Sequence, residues 1–178
     1  MNYFITHLLN DLLGESFFFD ALVLVFAEMI PWFVGLIFLI FIVFSYKRTI
    51  QPFFFSTTIL VIAAFLNPGL KILFNVKRPF EMFQTIEPLF VTYGFGSFPS
   101  SHAFFFATMT VLSFFFTRNI ALFFVVTSFL IGVSRIIAGV HSMYDIIGGW
   151  VLGTLFGLLS VWFYRKIIRN EPESSTNS

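Results

Sequence analysis

The chain has no cysteine, few charges, and no Lys or Arg before Lys47, and each shortage closes off a class of protein. Without cysteine there is neither a disulfide nor a thiolate metal site, while the compartment stays open. Charged residues make up 11% of the 178 positions against 58% hydrophobic, with a mean hydropathy of +0.92, and an ordinary water-soluble globule does not have that composition. The net charge is +1, and no basic stripe stands apart from the apolar segments, which excludes a nucleic-acid partner. A secretory signal needs an early basic residue and finds none. What the chain has in quantity is phenylalanine, 30 residues of it, the mark of a densely packed, lipid-facing bundle.

The expected fold is therefore all-α, a polytopic transmembrane helical bundle in one membrane-embedded domain over residues 1–178. The length accommodates about five spans of ~20 residues. Hydropathy places them at about Ala21 to Phe44, Phe53 to Phe74 with a break at Asn67-Pro68-Gly69, Pro99 to Phe116, Ile120 to Ala138 and Tyr144 to Tyr164. Ahead of them Phe4, Ile5, Leu8, Leu9, Leu12 and Leu13 recur at helical spacing opposite Asn2, Thr6, Asn10 and Asp11. That segment is too short to span and is expected to lie in the interface. His7 has no partner motif and reads as an interface residue. The polar tail 171–178 reads as disordered.

Drawing the spans sorts the ten basic residues into two groups. Lys47, Arg48, Arg118, Arg165, Lys166 and Arg169 share one side, which the positive-inside rule makes cytoplasmic. Lys71, Lys77, Arg78 and Arg135 stand on the other side against that rule, and a bound anion is a local reason for them to be there. Two crossings separate His102 from His141, so both histidines belong to the outer side as well.

Three fragments carry the chemistry. In Lys71-x6-Arg78-Pro79 the two cations are seven residues apart, close to two helical turns, so they share a face and can address one anion; Pro79 is expected to end the helix. Taken alone, the pair equally fits cations snorkelling to headgroups. Pro99-Ser100-Ser101-His102 opens an apolar helix whose free amides form an anion site, with Ser100 adding a hydroxyl and the amides near Ser101 and His102 adding donors. Taken alone, it also fits a plain capped helix start. Ser134-Arg135-x5-His141-x3-Asp145 is the most specific fragment. His141 and Asp145 stand at i, i+4, so the carboxylate can accept the imidazole Nδ1–H and leave Nε2 free to attack phosphorus. Arg135 is turned about 240° from His141 on a continuous helix, so the helix must stop between them, and Gly139 offers the break. A guanidinium there can grip a phosphoryl group in bidentate fashion.

In order and spacing the three fragments resemble the signature of the type 2 phosphatidic acid phosphatase (PAP2) superfamily of membrane lipid phosphatases, over about residues 53–160. The resemblance implies His141 as a nucleophile forming a phosphohistidine, Asp145 as its orienting carboxylate, and His102 as the acid that protonates the leaving oxygen and later activates water. It implies Lys71, Arg78 and Arg135, with Ser100 and the amide of Ser101, as the phosphate holders. Ser101 stands where the family often has glycine, which removes the closest backbone approach. Three cations can replace a metal in stabilising equatorial oxygens. Besides Asp145, the loop after Arg78 offers only Glu81 and Glu87 as carboxylates, so neither metal nor cofactor is expected.

The expected partners are the bilayer and a lipid phosphate. The small size and outward-facing site look like the bacterial undecaprenyl pyrophosphate phosphatases of this superfamily, in the cell membrane with the site facing the exterior or periplasm. Phosphatidylglycerophosphate, phosphatidic acid and lipid A phosphatases share the motifs, and the loop from Phe80 to Phe98, with Tyr93, Gly94 and Gly96, is the expected place of difference. A non-catalytic lipid-phosphate binder or transporter would need neither histidine nor Asp145. Gly149, Gly153 and Gly157 form a small-residue ridge for close helix packing. Glu28, three residues before Pro31 in the first span, has two readings: a group lining the lipid entrance, or a neutral acid bonded to carbonyls that the proline frees.

Overall fold

The computed structural model describes residues 2–45, 50–92, 94–114 and 118–169. Lys47, Arg48, Tyr93 and the tail 171–178 lie outside them. All described regular elements are helical. In chain order they are α1 (Asn2–Asn10), α2 (Phe17–Leu24), a π-helical turn (Val25–Met29), α3 (Ile30–Ser45), α4 (Ile50–Phe74), a one-turn α5 (Pro79–Met82), α6 (Ser101–Ser113), α7 (Arg118–Ile137) and α8 (Met143–Arg169). Four segments are long and apolar enough to cross a membrane, and Ser101–Ser113 is a shorter apolar helix beside them. The fifth expected span therefore exists as a helix, cut back at both ends.

The surface states which solvent the helices meet. Trp32, Phe65 and Leu73 are each more than 70% exposed, and α3 carries no polar residue between Ile30 and Phe44. A helix apolar all round at the surface of a bundle faces lipid. The apolar core is correspondingly thin: one cluster joins Val34, Phe38, Phe106, Phe124 and Ile131, with the Phe38 and Phe124 rings edge to face at 5.1 Å. Six hydroxyls inside the spans are turned back on their own helices, since lipid offers no partner. The hydroxyls of Thr108, Thr110, Ser113, Thr127, Ser134 and Ser160 each donate to the carbonyl four residues earlier.

The helix carrying Asp145 packs chiefly against α6, and the glycine ridge is the reason. A Cβ at Gly149 would stand 2.7 Å from Ala103 Cβ, one at Gly157 would stand 2.9 Å from Val111 Cβ, and one at Gly153 would enter the backbone of Phe104. The contact is closed by Thr108, whose hydroxyl also reaches the Gly153 carbonyl at 3.1 Å. The ridge thus acts as packing, as expected.

Two prolines shape the spans, and the first departs from expectation. The anticipated break at Asn67-Pro68-Gly69 is absent, and α4 runs through Pro68 to Phe74. In an apolar medium each further unpaired backbone group costs several kcal/mol, so the helix absorbs one lost bond rather than unwinding. Pro31 is the second case. Its missing N–H leaves the Ala27 carbonyl without the i+4 donor, and the chain widens into the π turn over Val25–Met29.

The N-terminal helix α1 keeps its two faces apart. Its polar residues face inward, with Thr6 and Asn10 buried, while Phe4 and Leu8 face outward. Asn10 clamps three segments: its amide donates to the Glu87 carbonyl at 2.9 Å and the Ile137 carbonyl at 3.0 Å, and its oxygen accepts from Glu87 N–H at 3.0 Å. His7 reaches Thr85 Oγ1 at 2.5 Å and Asp11 at 3.3 Å. The segment has neighbours in the 80–98 loop, so His7 is a tethering residue rather than a partnerless one.

Candidate functional site

Where α4, α6 and α7 meet the loops that follow α4 and α7, one cavity of about 500 Å³ opens, lined by Glu28, Lys71, Arg78, Ser101, His102, Arg135 and His141 among others. These seven residues come from four separate stretches of the sequence, at 28, 71–78, 101–102 and 135–141. Both histidines face the one cavity, as two crossings require.

Lys71 and Arg78 arrive by a route other than the expected one. The helix ends at Phe74, and Asn75 takes a left-handed φ of 47°, so the two cations do not share a helical face. Arg78 sits instead in an extended conformation as the N-cap of α5, with Pro79 beginning that helix rather than ending α4 and Glu81 accepting the Arg78 N–H at 2.9 Å. A helix end leaves four carbonyls without intrahelical partners, and a stop where the chain leaves the apolar layer lets water and loop donors reach them. Lys71 Nζ donates to the Gly96 carbonyl at 3.1 Å, and Arg78 Nη1 to the Val140 carbonyl at 3.3 Å. Loop contacts, rather than periodicity, aim the pair.

The second fragment starts its helix two residues later than expected. Ser100 is the N-cap of α6 and Pro99 precedes it. The Ser100 N–H is spent on the Asp145 carbonyl at 3.0 Å, and its buried hydroxyl has no protein partner. Ser101 donates its hydroxyl to Asn67 at 2.6 Å. Ser101 and His102 line the cavity, whereas Ser100 lies behind it, fully buried.

The third fragment breaks where the sequence places the break. α7 ends at Ile137, and Gly139 has φ 72° with Asn10, Ile86 and Glu87 pressed against the space a Cβ would need. That conformation favours glycine. His141 thereby leaves the face of Arg135 and precedes α8, with Ser142 between it and the helix. The His141 Nδ1 to Asp145 Oδ2 distance is 3.7 Å, too long for a hydrogen bond. Ser97 stands between them, its hydroxyl donating to Asp145 Oδ2 at 2.6 Å and lying 3.2 Å from His141 Nδ1. Asp145 also accepts the Ser142 N–H at 2.6 Å. It sits at the third residue of α8, where the helix dipole favours an anion.

Burial is the largest influence on His141, which lies in the connection between α7 and α8. It pushes the imidazole well below its usual 6.5, against the pull of Asp145, and the positive charges of Arg135 and Lys71 push the same way as burial. The ring is held neutral, with Nδ1 toward Ser97 and Nε2 on the opposite edge, as a nucleophile requires.

Arg135 brings in a residue that the sequence left with two readings. Its Nη1 donates to Glu28 Oε1 at 3.0 Å and to the Ala27 carbonyl at 2.8 Å. The carbonyl freed by Pro31 is taken by a guanidinium, and Glu28 is that guanidinium's counter-ion at the cavity wall. The reading as an acid bonded to freed carbonyls is replaced by this ion pair. Phe90 covers the same guanidinium, 5.7 Å from its ring centre.

Ser97 carried no signal, because a serine next to Gly96 in a loop matches no spacing rule. Its placement depends on Gly96, where a Cβ would stand 3.1 Å from the Lys71 carbonyl, and on the Ser97 N–H donated to Val76 at 2.6 Å. Among the described residues no group of three or more histidines and carboxylates is arranged to hold a metal. The arrangement can bind a phosphoryl group by three cations and present to it a neutral imidazole backed by a carboxylate.

A family model described as the PAP2 superfamily matches residues 52–169. The Bacillus licheniformis protein named bacitracin transport permease protein BcrC is 37% identical over 71 residues, 40% of this chain and 35% of that protein. That match spans about a third of the relative's length. Among solved structures, Aquifex aeolicus LpxE aligns at a TM-score of 0.73 with 26% identity, covering 90% of this chain and 94% of its own. A transmembrane PAP2-type phosphatidylglycerolphosphate phosphatase from Bacillus subtilis aligns at 0.75 with 22% identity, covering 92% and 86%, and at that identity the likeness concerns the fold.

Proposed function

The chain belongs to the PAP2 superfamily, its family match covering residues 52–169, and on that premise we propose that it hydrolyses undecaprenyl pyrophosphate to undecaprenyl phosphate without a metal, through a phosphohistidine on His141. The coarser statement, a multi-pass membrane lipid phosphatase, follows from the membership. The observation that carries the finer one is the convergence of His102, His141, Lys71, Arg78 and Arg135 on one cavity of about 500 Å³.

In this mechanism the cations take up the charge of the phosphoryl oxygens, which is where a loose transition state needs help. His141 Nε2 attacks phosphorus; its Nδ1–H is held by the Ser97 and Asp145 array, which supports the positive charge the ring acquires. His102 gives a proton to the leaving oxygen. It then takes one from the water that cleaves the phosphorus–nitrogen bond, which returns both histidines to their starting states. Ser100 serves through the geometry of the α6 start, and Ser101 through its place on the cavity wall. Three cations and Glu28 sum to +2, which suits a phosphoryl headgroup of two or more negative charges and so admits a pyrophosphate. Placing the site on the exterior or periplasmic face of the cell membrane rests on the charge sorting. Arg118 starts α7 about 25 Å along the helix from Arg135.

The test is phosphate release by detergent-purified protein from undecaprenyl pyrophosphate, phosphatidylglycerophosphate, phosphatidic acid and lipid A, with EDTA present. Fastest turnover on undecaprenyl pyrophosphate supports the reading, and preference for any of the other three replaces the substrate while keeping the chemistry. A non-catalytic binder would release no phosphate from any of them.

A further inference from the structure

Asn10, the last residue of α1, lies outside the family-matched stretch 52–169, yet its buried amide ties together two chain segments that frame the cavity. Its hydrogen bonds all go to backbone groups: the amide donates to the Ile137 carbonyl at 3.0 Å and the Glu87 carbonyl at 2.9 Å, and its oxygen accepts the Glu87 N–H at 3.0 Å. Ile137 ends α7, so its carbonyl is one that the helix itself leaves unpaired. The turn that follows is held by the same contact, since a Cβ at Gly139 would stand 2.9 Å from the Asn10 amide nitrogen and 3.1 Å from the Glu87 carbonyl.

Arg135, His141 and Arg78 all hang on that turn. Arg135 precedes it, and the His141 N–H at its far end returns to the Arg135 carbonyl at 3.3 Å. Arg78 donates to the Val140 carbonyl inside it at 3.3 Å. The loop held at Glu87 docks alongside: the Leu89 N–H donates to the Ala138 carbonyl at 3.1 Å, and Phe90 covers the Arg135 guanidinium.

We propose that Asn10 is a positioning residue for phosphoryl transfer, its amide setting the α7–α8 turn against the 80–98 loop so that His141, Arg135 and Arg78 address one phosphorus. The inference rests on the phosphatase reading above. An amide is the side chain this place requires, because it donates twice and accepts from the same planar group, whereas a carboxylate of the same shape only accepts. A displacement of about 1 Å between a nucleophile and the groups that hold its target can cost about a hundredfold in rate. The turn through Gly139 is where such a displacement would arise, because it alone sets His141 relative to Arg135.

The experiment measures kcat, KM and Tm in detergent for wild type, Asn10→Ala, Asn10→Asp and His7→Ala, on whichever of the four lipid phosphates the wild type turns over fastest and at a temperature where every variant is folded. Asn10→Asp keeps the shape and the bond from the Glu87 N–H while losing both donors. His7→Ala cuts the other tether of α1, to Thr85, and leaves the α7–α8 turn alone. Both Asn10 variants are expected to lose about tenfold or more in kcat rather than in KM, with His7→Ala within about twofold of wild type. A smaller fall in kcat, a change confined to KM or Tm, or an equal fall in His7→Ala overturns the inference and leaves the phosphatase reading standing. If neither Asn10 variant melts cooperatively, Asn10→Gln decides, since it keeps the amide and moves it by one methylene: a fall of about threefold or more in kcat supports the inference and a smaller one overturns it. A wild type that releases no phosphate from any of the four lipids overturns the phosphatase reading and this inference with it.

Discussion

In the proposed mechanism the chemistry turns on His141, and Ser97 is the neighbour that the structure adds to it. His141→Ala is expected to lower phosphate release by roughly a thousandfold or more, because the covalent step has no substitute, while binding of a fluorescent lipid phosphate persists through Lys71, Arg78 and Arg135. Ser97→Ala removes a hydrogen bond to a carboxylate, worth about 1.5–3 kcal/mol. It should reduce kcat by roughly ten- to a hundredfold with KM little changed; a change confined to KM would contradict the role. Glu28→Ala lets Arg135 move and should lower kcat/KM about tenfold, with Glu28→Gln partly restoring it because the amide still accepts the guanidinium bond. Burial sets the pH dependence. Since it holds the His141 pKa below 6.5, the native state binds fewer protons than the unfolded chain as pH drops past that value. Stability from this group is fully present above 6.5 and is lost on acidification. The activity profile should be a bell whose acid limb lies below 6.5, measured as kcat/KM against pH. At this scale the His141, Asp145, Arg135 and His102 set was legible from residue types at fixed gaps. Ser97 and the Arg135 partner were not, since both arise from chain segments distant in sequence.

At the scale of elements, periodicity revealed the helices but misjudged how they end. The bounds of α7 and the break at Gly139 were readable because a left-handed glycine is a local event. The stop of α4 at Phe74 was not, and Lys71 and Arg78 converge through the Gly96 and Val140 carbonyls rather than through two helical turns. The prolines were misread at Pro68 for the same reason in reverse: a local helix breaker is overruled when the surrounding lipid cannot satisfy an opened backbone. The inward face of α1 was not legible, because Asn10 finds partners in the bundle that the segment alone does not display. The α8 ridge makes a sharp prediction. Gly153→Ala inserts a methyl into the Phe104 backbone and should cost about 1–3 kcal/mol by overpacking, seen as a lower Tm in detergent. Gly35→Ala, facing open space, should leave Tm near the wild-type value.

Among the described residues, an apolar exterior, a thin core and a cation-lined cavity at a bundle end describe a protein whose polar chemistry gathers where the spans meet water. The composition alone established the membrane setting, and the sign of the basic residues separated the cavity end from Arg118, Arg165 and Lys166. The proposed chemistry turns on a covalent phosphohistidine formed without metal. Purified protein quenched during turnover of undecaprenyl pyrophosphate labelled in its terminal phosphate, in EDTA, should carry label that is stable to base and released by acid, and His141→Ala should carry none. Label that persists in His141→Ala, or turnover that stops in EDTA, would contradict it.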